Sequence, residues 1–412
     1  MIKKLSIKNK NIFFFLIGFL SVIIGYYFAE DSAGGSRHDS ELLLFYVKLF
    51  SNNFLNGLNQ YDLDHSPIFY IFQSLFFSAK FGNDLFNYFY IFLSSLIPII
   101  FFYSLSYKYK KNKDYLFLFS LLIFLSPYFR SSAIWSLGDN LSSLFFCIFS
   151  LFFLKSEREN FFGKNNFICL ISIILASYIR PIYCIFWIFL FYQRIKLFNK
   201  VELIRFIITS FLFSIPALYY LIFNLILNGK HEKINSFLNL NFFEISIVVS
   251  SILSFYIFPF IIHDFKNLKN FLLLFLIFLS AFLIDYFLFK DLISINEIGG
   301  GVFYKLSLLL KFDFHFLMLF SSYLGIVLYC YISKGKNLIY NLSLLIILIL
   351  YCPTLYIFQK FLDPLFFFIF FLLIKSDTLM EYFRKKQFNL IVIYTYFASF
   401  LLLSIFYYKL LS

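Results

Sequence analysis

Long apolar runs fill this chain of 412 residues, and only short polar gaps separate them. The chain is 61% hydrophobic, whereas soluble domains are roughly 45–50% apolar. A membrane-spanning helix requires about 20 apolar residues. The longest polar gap, Glu30–Pro67, is itself broken by apolar residues and is too short for an ordinary soluble domain. We therefore predict an all-α integral membrane protein in which residues 1–412 form a single polytopic membrane domain.

The charge of the gaps predicts how the chain crosses the membrane. Seven gaps hold 23 of the 35 Lys and Arg residues but only 7 of the 22 Asp and Glu residues. Those basic gaps are Met1–Asn11, Lys108–Asp114, Lys155–Asn166, Arg194–Arg205, His263–Asn270, Lys334–Asn337 and Lys375–Phe388. Basic loops stay cytoplasmic, so we predict a cytoplasmic N-terminus and a carboxylate-rich outer face in a bacterial inner membrane. The net charge of +13 does not indicate nucleic-acid binding, because topology and anionic membrane lipids account for it.

The apolar runs predict about 13 transmembrane helices. The first, 12–28, is interpreted as a retained span and not a cleaved signal peptide, because Ala29-Glu30-Asp31 is a poor cleavage site and many spans follow. The other predicted spans are 86–107, 115–129, 140–154, 167–179, 181–193, 206–228, 244–262, 271–290, 314–333, 338–358, 364–375 and 389–408.

Residues 29–85 form the predicted first outer loop. Ser40–Phe54 has apolar residues at helical spacing, with charged residues among them, which favours a helix lying in the membrane interface. Ile68–Ala79 is apolar but too short to span a bilayer, so we predict a second interfacial helix there. Between two short spans, Arg180-Pro181 predicts a break, because proline disfavours helix before it and Arg is costly at mid-bilayer.

Several polar segments on the predicted outer face carry groups suited to catalysis or binding. Ala29–Asp39 places carboxylates just beyond the first span, where one could act as a general base. A solvated turn is the alternative interpretation of this segment. Two later turns hold Glu297 beside three glycines and Lys360 with Asp363. Each of these turns is equally compatible with a simple charged connection between spans.

Three further segments on the predicted outer face resemble one protein family. Asp62–Ile71, followed by Phe81-Gly82, is similar to the first outer loop of the GT-C membrane glycosyltransferases. The likeness is nearest to the branch of protein O-mannosyltransferases and lipid A aminoarabinose transferases. Ser126–Asn140 resembles the Ser-Pro turn that precedes an acidic residue in that family, and Ser177–Pro181 resembles its cation-proline break.

The resemblance covers about residues 30–192 and has one clear departure. His65 and Ser66 stand where the family pattern has Lys and its first Pro. The family commonly ends in a soluble outer domain, and such a domain is not evident in this sequence. A lipid or glycan acceptor is therefore favoured over a protein acceptor.

The resemblance implies a GT-C-like fold and an inverting glycosyl transfer from a polyprenyl-phosphate sugar. A carboxylate would take the proton of the acceptor hydroxyl, and we assign this role first to Asp31 and second to Asp39. Arg180 would stabilise the departing lipid phosphate. The further residues predicted to bind substrate are Glu30, His65, Arg130, Asp139, Glu297, Lys360 and Asp363.

The sequence indicates no metal-ligand set, because the five histidines are scattered over separate segments. No cofactor is assigned. A divalent cation, magnesium or manganese, held by carboxylate and phosphate oxygens stays open. Two other functions also stay open. One is a polysaccharide polymerase or O-antigen ligase type of enzyme, and the other is a transporter or flippase of lipid-linked saccharide, disfavoured by the scarcity of charges within the spans.

Overall fold

The computed structural model describes most of the chain as helix. The described residues are 7–63, 66–77, 82–110, 112–157, 159, 163–220, 241–261, 276, 279–287, 300–354, 357–386 and 388–411. Within them, seven helices are long and apolar enough to cross a membrane, or eight if one bent pair is a single span. The prediction of a helical membrane protein is confirmed at this level. The count of 13 spans stays a prediction.

The contacts divide the chain into two compact units. The first contains residues 1–234 and 397–412, and the second contains 235–396. The helices of the first unit are α1 Ile7–Tyr27, α2 Ser40–Asn52, α3 Phe54–Gln60, α4 Ile68–Ser74, α5 Gly82–Ser94, α6 Leu96–Tyr109, α7 Lys113–Ser120, α8 Pro127–Ile134, α9 Gly138–Lys155, α10 Lys164–Ile179, α11 Ile185–Ile195 and α12 Lys200–Tyr220. Those of the second are α13 Phe242–Ile261, α14 Gly301–Leu310, α15 Phe314–Ser333, α16 Leu338–Leu350, α17 Leu365–Phe368 and α18 Asp377–Glu381. The last helix, α19 Leu390–Leu411, crosses the boundary between the two sets of residues.

In the first unit, a serine-proline step turns the predicted span 115–129 sharply. The helical stretch Lys113–Leu125 and helix α8 meet at 68°. Ser126 is extended, its hydroxyl accepts a hydrogen bond from the amide of Phe129, and Pro127 opens α8. Proline suits the first turn of a helix because its missing N–H would have no helical partner there. Residues 127–134, predicted as part of an outer turn, instead form a fully buried helix that packs against α1, α5 and α9.

The predicted first outer loop is helical, as expected. Helix α2 matches the predicted Ser40–Phe54 helix, and α4 covers the first part of the predicted Ile68–Ala79 helix. Helix α3 was not predicted. Helix α4 packs against both α2 and α10. The location of these helices at a membrane interface stays a prediction.

The C-terminal helix α19 contacts the N-terminal part of the first unit near the end of α1. The hydroxyl of Ser404 in α19 donates a hydrogen bond of 2.9 Å to the hydroxyl of Ser32 just beyond α1. Phe400 packs on Tyr128, with ring centroids 6.3 Å apart. The C-terminal ends of α1 and α19 therefore lie on the same side of this unit.

The second unit is organised by a close crossing of α13 and α15. Gly325 lies directly against the backbone of α13, where a Cβ atom would overlap the carbonyl oxygen of Ser250. The hydroxyls of Ser251 and Ser321 share a hydrogen bond of 2.6 Å at the same interface. Small residues permit such close approach between membrane helices, and interhelical hydrogen bonds add to it.

We expect Gly325→Ala to destabilise the protein, because a backbone atom of α13 would have to move to admit the new methyl group. Overpacking of this kind costs about 1–3 kcal/mol. Thermal unfolding of the purified protein in detergent should show a lower Tm. A matched control is Ser399→Leu, which enlarges an exposed position of α19. Equal Tm values for wild type and Gly325→Ala would contradict the close crossing.

Candidate functional site

Arg180 lies where the backbone leaves helix, as the sequence predicted. Helix α10 ends at Ile179, Arg180 is extended (φ −131°, ψ 105°), and Pro181 begins a short 3-10 helix that leads into α11. The residue before a proline is disfavoured in the α region by contact with the proline ring. The break releases the Arg180 side chain from the helical repeat and aims it at the start of α9.

Asp139 occupies the first turn of α9, where a carboxylate complements the partial positive charge of a helix N-terminus. The preceding loop is held by the hydroxyl of Tyr90. This hydroxyl donates to the carbonyl of Leu137 and accepts from the amide of Leu141 at 3.2 Å. Asp139 is therefore fixed both by its helix and by a buried hydrogen-bond bridge around it.

Arg180 and Asp139 form an ion pair. Nη2 of Arg180 lies 2.9 Å from Oδ2 of Asp139, and the two side chains are 29% and 9% exposed. Nε of Arg180 is buried and has no hydrogen-bond partner among the described residues. A Cβ atom on Gly138 would lie 3.3 Å from the side chain of Ile179 and 3.6 Å from this Nε, so this side of the guanidinium is closely packed. Because the Arg180 side chain is 29% exposed, its exposed N–H groups are donors that an anion can use.

Two groups from the predicted interfacial region join this pair. Burial alone would lower the pKa of Arg180, but the charges of Asp139 and Asp39 outweigh it, and the pKa is raised. Burial raises the pKa of Tyr70, which lies in α4. The charge of Arg180 lowers this pKa, and the charge of Asp39 raises it. Arg180, Asp139, Asp39 and Tyr70 thus share one electrostatic environment, which we call the Arg180 cluster.

Tyrosines fix helix α4 over the Arg180 cluster. The rings of Tyr46, Tyr61 and Tyr70 lie 5.1–5.6 Å from one another. The hydroxyl of Tyr46 also donates a hydrogen bond to Asp62. Burial and this carboxylate raise the pKa of Tyr46 to about 12, so the donor keeps its proton at neutral pH. The role of Tyr46 was missed from the sequence, where it is one more aromatic residue among many.

Glu30 and Arg130 form a second, fully buried pair. Nε and Nη2 of Arg130 donate to the two Glu30 carboxylate oxygens at 2.7 and 2.8 Å. The remaining N–H groups of Arg130 meet the hydroxyl and carbonyl of Ser21 and the carbonyl of Phe124. All five donors of the Arg130 guanidinium are therefore satisfied within the protein. These hydrogen bonds join α1 to α8. The sequence had suggested both residues for substrate binding.

The turn after α1 makes the Glu30–Arg130 pair possible. Ala29 adopts a left-handed conformation (φ 49°), and the amide of Glu30 returns to the carbonyl of Gly25 at 3.1 Å. A Cβ atom on Gly25 would lie 2.7 Å from the Glu30 carboxylate. The indole N–H of Trp135 donates to the carbonyl of Glu30 at 2.8 Å. The local chain therefore folds the carboxylate back over its own helix.

The side chain of Asp31, unlike that of Glu30, is not bound by Arg130. It lines a cavity of about 200 Å³. Its carboxylate accepts hydrogen bonds from the amide of Ser36 at 3.1 Å and from the hydroxyl of Ser36 at 2.7 Å. Tyr408 and Lys409 of α19 line the same cavity. Lys409 was missed from the sequence, although it is the lone charged residue of the apolar stretch 390–411.

The two described candidates of the second unit occupy different surroundings. Asp363 is buried and accepts a hydrogen bond of 2.5 Å from the hydroxyl of Tyr256, to which Gln359 donates at 3.0 Å. Lys360 is partly exposed, with Nζ 5.5 Å from the ring centroid of Phe358. His65 and Glu297 lie outside the described residues. In the part of the chain that the structure covers, no three His, Cys, Asp or Glu side chains are grouped so as to hold a metal ion.

Removing one partner of the Glu30–Arg130 pair should destabilise the protein strongly. We expect Arg130→Met to cost about 3–5 kcal/mol, because it leaves a buried carboxylate without its partner. The double variant Glu30→Leu with Arg130→Met should recover much of that loss, since neither charge is then buried alone. Thermal unfolding in detergent distinguishes these variants. A double variant as unstable as the single one would contradict the pairing.

Comparisons with protein-family models, curated proteins and solved structures found no match for this chain.

Proposed function

We propose that this protein is a membrane glycosyltransferase. It moves a sugar from a polyprenyl-phosphate donor to a hydroxyl of a lipid, glycan or protein at the extracytoplasmic face of the membrane. The proposal includes a GT-C-like arrangement with about 13 spans and two interfacial helices in the first outer loop. The observation that carries it is the Arg180 cluster, in which a partly exposed guanidinium lies 2.9 Å from the carboxylate of Asp139 and the charge of Asp39 helps to raise its pKa.

The chemistry of the donor explains why such a cluster is suitable. During transfer, a bond forms between the acceptor oxygen and the anomeric carbon while the bond from that carbon to the phosphate oxygen breaks. The electron pair leaves with the lipid phosphate, whose negative charge grows. A guanidinium can accept this charge in a forked geometry, and Asp139 holds Arg180 in position at 2.9 Å.

A carboxylate must receive the proton of the acceptor hydroxyl. Asp31 keeps the first assignment because it lines a cavity large enough for a hydroxyl-bearing group. Asp39 is the second candidate because its charge acts on Arg180 and Tyr70 within the Arg180 cluster. Asp139 is less suited, since its carboxylate is already bound to Arg180 and placed at a helix N-terminus. No redox step occurs in this reaction.

Arg180→Ala should lower kcat for transfer by about 10²–10³-fold, as loss of a charge-stabilising donor does. Arg180→Lys should restore only part of the rate, because an ammonium lacks the forked geometry. The assay mixes purified protein with radiolabelled polyprenyl-phosphate sugars and a membrane lipid extract, and follows the label. Arg205→Ala, at an exposed position of α12, is the matched control. Full activity of Arg180→Ala would remove Arg180 from the site.

Asp31→Asn and Asp39→Asn decide between the two candidate bases. The variant that lacks the base should lose about 10²–10⁴-fold in kcat. The other variant should keep most of its activity. Both proteins must elute as folded monodisperse species. If neither substitution lowers kcat, the base lies elsewhere. Absence of transfer from every donor tested would instead favour the polymerase and transporter functions.

A further inference from the structure

One face of helix α5 carries three polar side chains, which we call the α5 polar stripe. Asn87, Tyr90 and Ser94 follow one another at spacings of three and four residues, which places them on the same face of the helix. They belong to the apolar helical stretch Asn83–Tyr109, which is long enough to cross a membrane. Polar groups are costly in a membrane helix unless they are hydrogen-bonded. The partners of the stripe therefore indicate its role.

The first partner of the stripe is a strained residue. Ser136 is buried and has a left-handed backbone (φ 53°), which is uncommon for a residue other than glycine. Its hydroxyl donates to Oδ1 of Asn87 at 2.9 Å, and its carbonyl accepts from Nε2 of Gln73, in α4, at 3.4 Å. Strained backbone persists only where the surrounding structure holds it. Side chains of α4 and α5 therefore both hold the start of the loop that leads into α9.

Tyr90 and Ser94 hold the remainder of this loop. The hydroxyl of Tyr90 donates to the carbonyl of Leu137 and accepts from the amide of Leu141 at 3.2 Å. The hydroxyl of Ser94 accepts a hydrogen bond of 3.2 Å from Nδ2 of Asn140. Tyr90 and Ser94 are only 1% and 3% exposed, so these hydrogen bonds are shielded from competition with water.

The loop held by the stripe, residues 136–141, contains Asp139. Oδ2 of Asp139 lies 2.9 Å from Nη2 of Arg180. Helix α5 contacts both α8 and α9, and a stripe that only joined these helices could bond to any part of them. Its hydrogen bonds instead fall on both sides of Asp139. A carboxylate on a backbone fixed at both sides can hold its guanidinium partner in one orientation.

We propose that the α5 polar stripe positions Arg180 for the proposed sugar transfer, on which this inference rests. Tyr90 holds the backbone on both sides of Asp139, and Asp139 holds the guanidinium where the negative charge of the leaving phosphate develops. Tyr90 is thus a positioning residue, which acts through Asp139 and Arg180 and touches no substrate. Asn87 and Ser94 support it at the two ends of the loop.

Tyr90→Phe removes the central hydroxyl of the stripe and leaves the ring in place. We expect kcat for transfer to fall roughly tenfold to hundredfold with KM little changed, because Arg180 acts on the leaving phosphate in the transition state. In the Arg180→Ala background the same substitution should have little further effect, since the residue through which it acts is gone. Ser94→Ala, a milder variant, should show a smaller fall with the same dependence on Arg180.

Tyr329→Phe is the matched control. Tyr329 is 1% exposed, and its hydroxyl donates to a backbone carbonyl, that of Asn341 in the second unit, at 2.6 Å. The control should lower the Tm in detergent as Tyr90→Phe does, yet leave kcat unchanged. Wild-type kcat in Tyr90→Phe, or an equal fall in kcat with and without Arg180, would overturn the positioning role.

Hydrogen exchange tests the hold on the loop without any transfer. The amide of Leu141 loses its hydroxyl acceptor in Tyr90→Phe. Peptides covering residues 136–141 should therefore exchange roughly fivefold to tenfold faster, as expected for the loss of one hydrogen bond. Unchanged exchange would overturn the inference even if kcat falls. No transfer by the wild-type protein would instead reject the proposed function, and faster exchange would then still support the hold of Tyr90 on the loop.

Discussion

The buried pair of Glu30 and Arg130 is the interaction on which the polar side of the first unit depends. Burying two charges is costly unless each is paired and hydrogen-bonded. Here the guanidinium uses all five donors, so the cost is offset within the protein. The pair fixes the end of α1 against α8, and it thereby determines the direction in which the next residue, Asp31, leaves the helix.

From that anchor, the local backbone explains how two polar regions arise from one short segment. Ala29 turns Glu30 inward, and Asp31 then faces the cavity with Ser36. Farther along, a short π-helical turn ends at Asp39, whose charge reaches Arg180. The chain between the two carboxylates is only a few residues long. One loop therefore places the Asp31 carboxylate at the cavity and brings the charge of Asp39 to Arg180.

Much of this organisation follows from the sequence because proline and charge act locally. The break at Pro181 was predicted from the sequence, whereas the break at Pro127 falls inside the predicted span 115–129. The burial of a charged side chain, unlike a helix break, does not follow from the local sequence. Arg130 and Arg180 look alike in sequence, as single cations near a helix break, yet one is fully satisfied and the other keeps an unpartnered Nε. That difference arises from partner residues in other helices. The spacing of residues along the chain does not show which of those partners will be in contact.

The position of Lys409 in the fold depends on contacts between residues far apart in the sequence. The motif resemblance ends near residue 192, and Lys409 lies more than two hundred residues beyond it. Only the packing of α19 beside α1, marked by the Ser404–Ser32 hydrogen bond, brings the ammonium to the Asp31 cavity. A charge is costly in a lipid-facing helix unless it reaches the interface or a partner. Lys409 lies at this helix end and lines the cavity together with the carboxylate of Asp31.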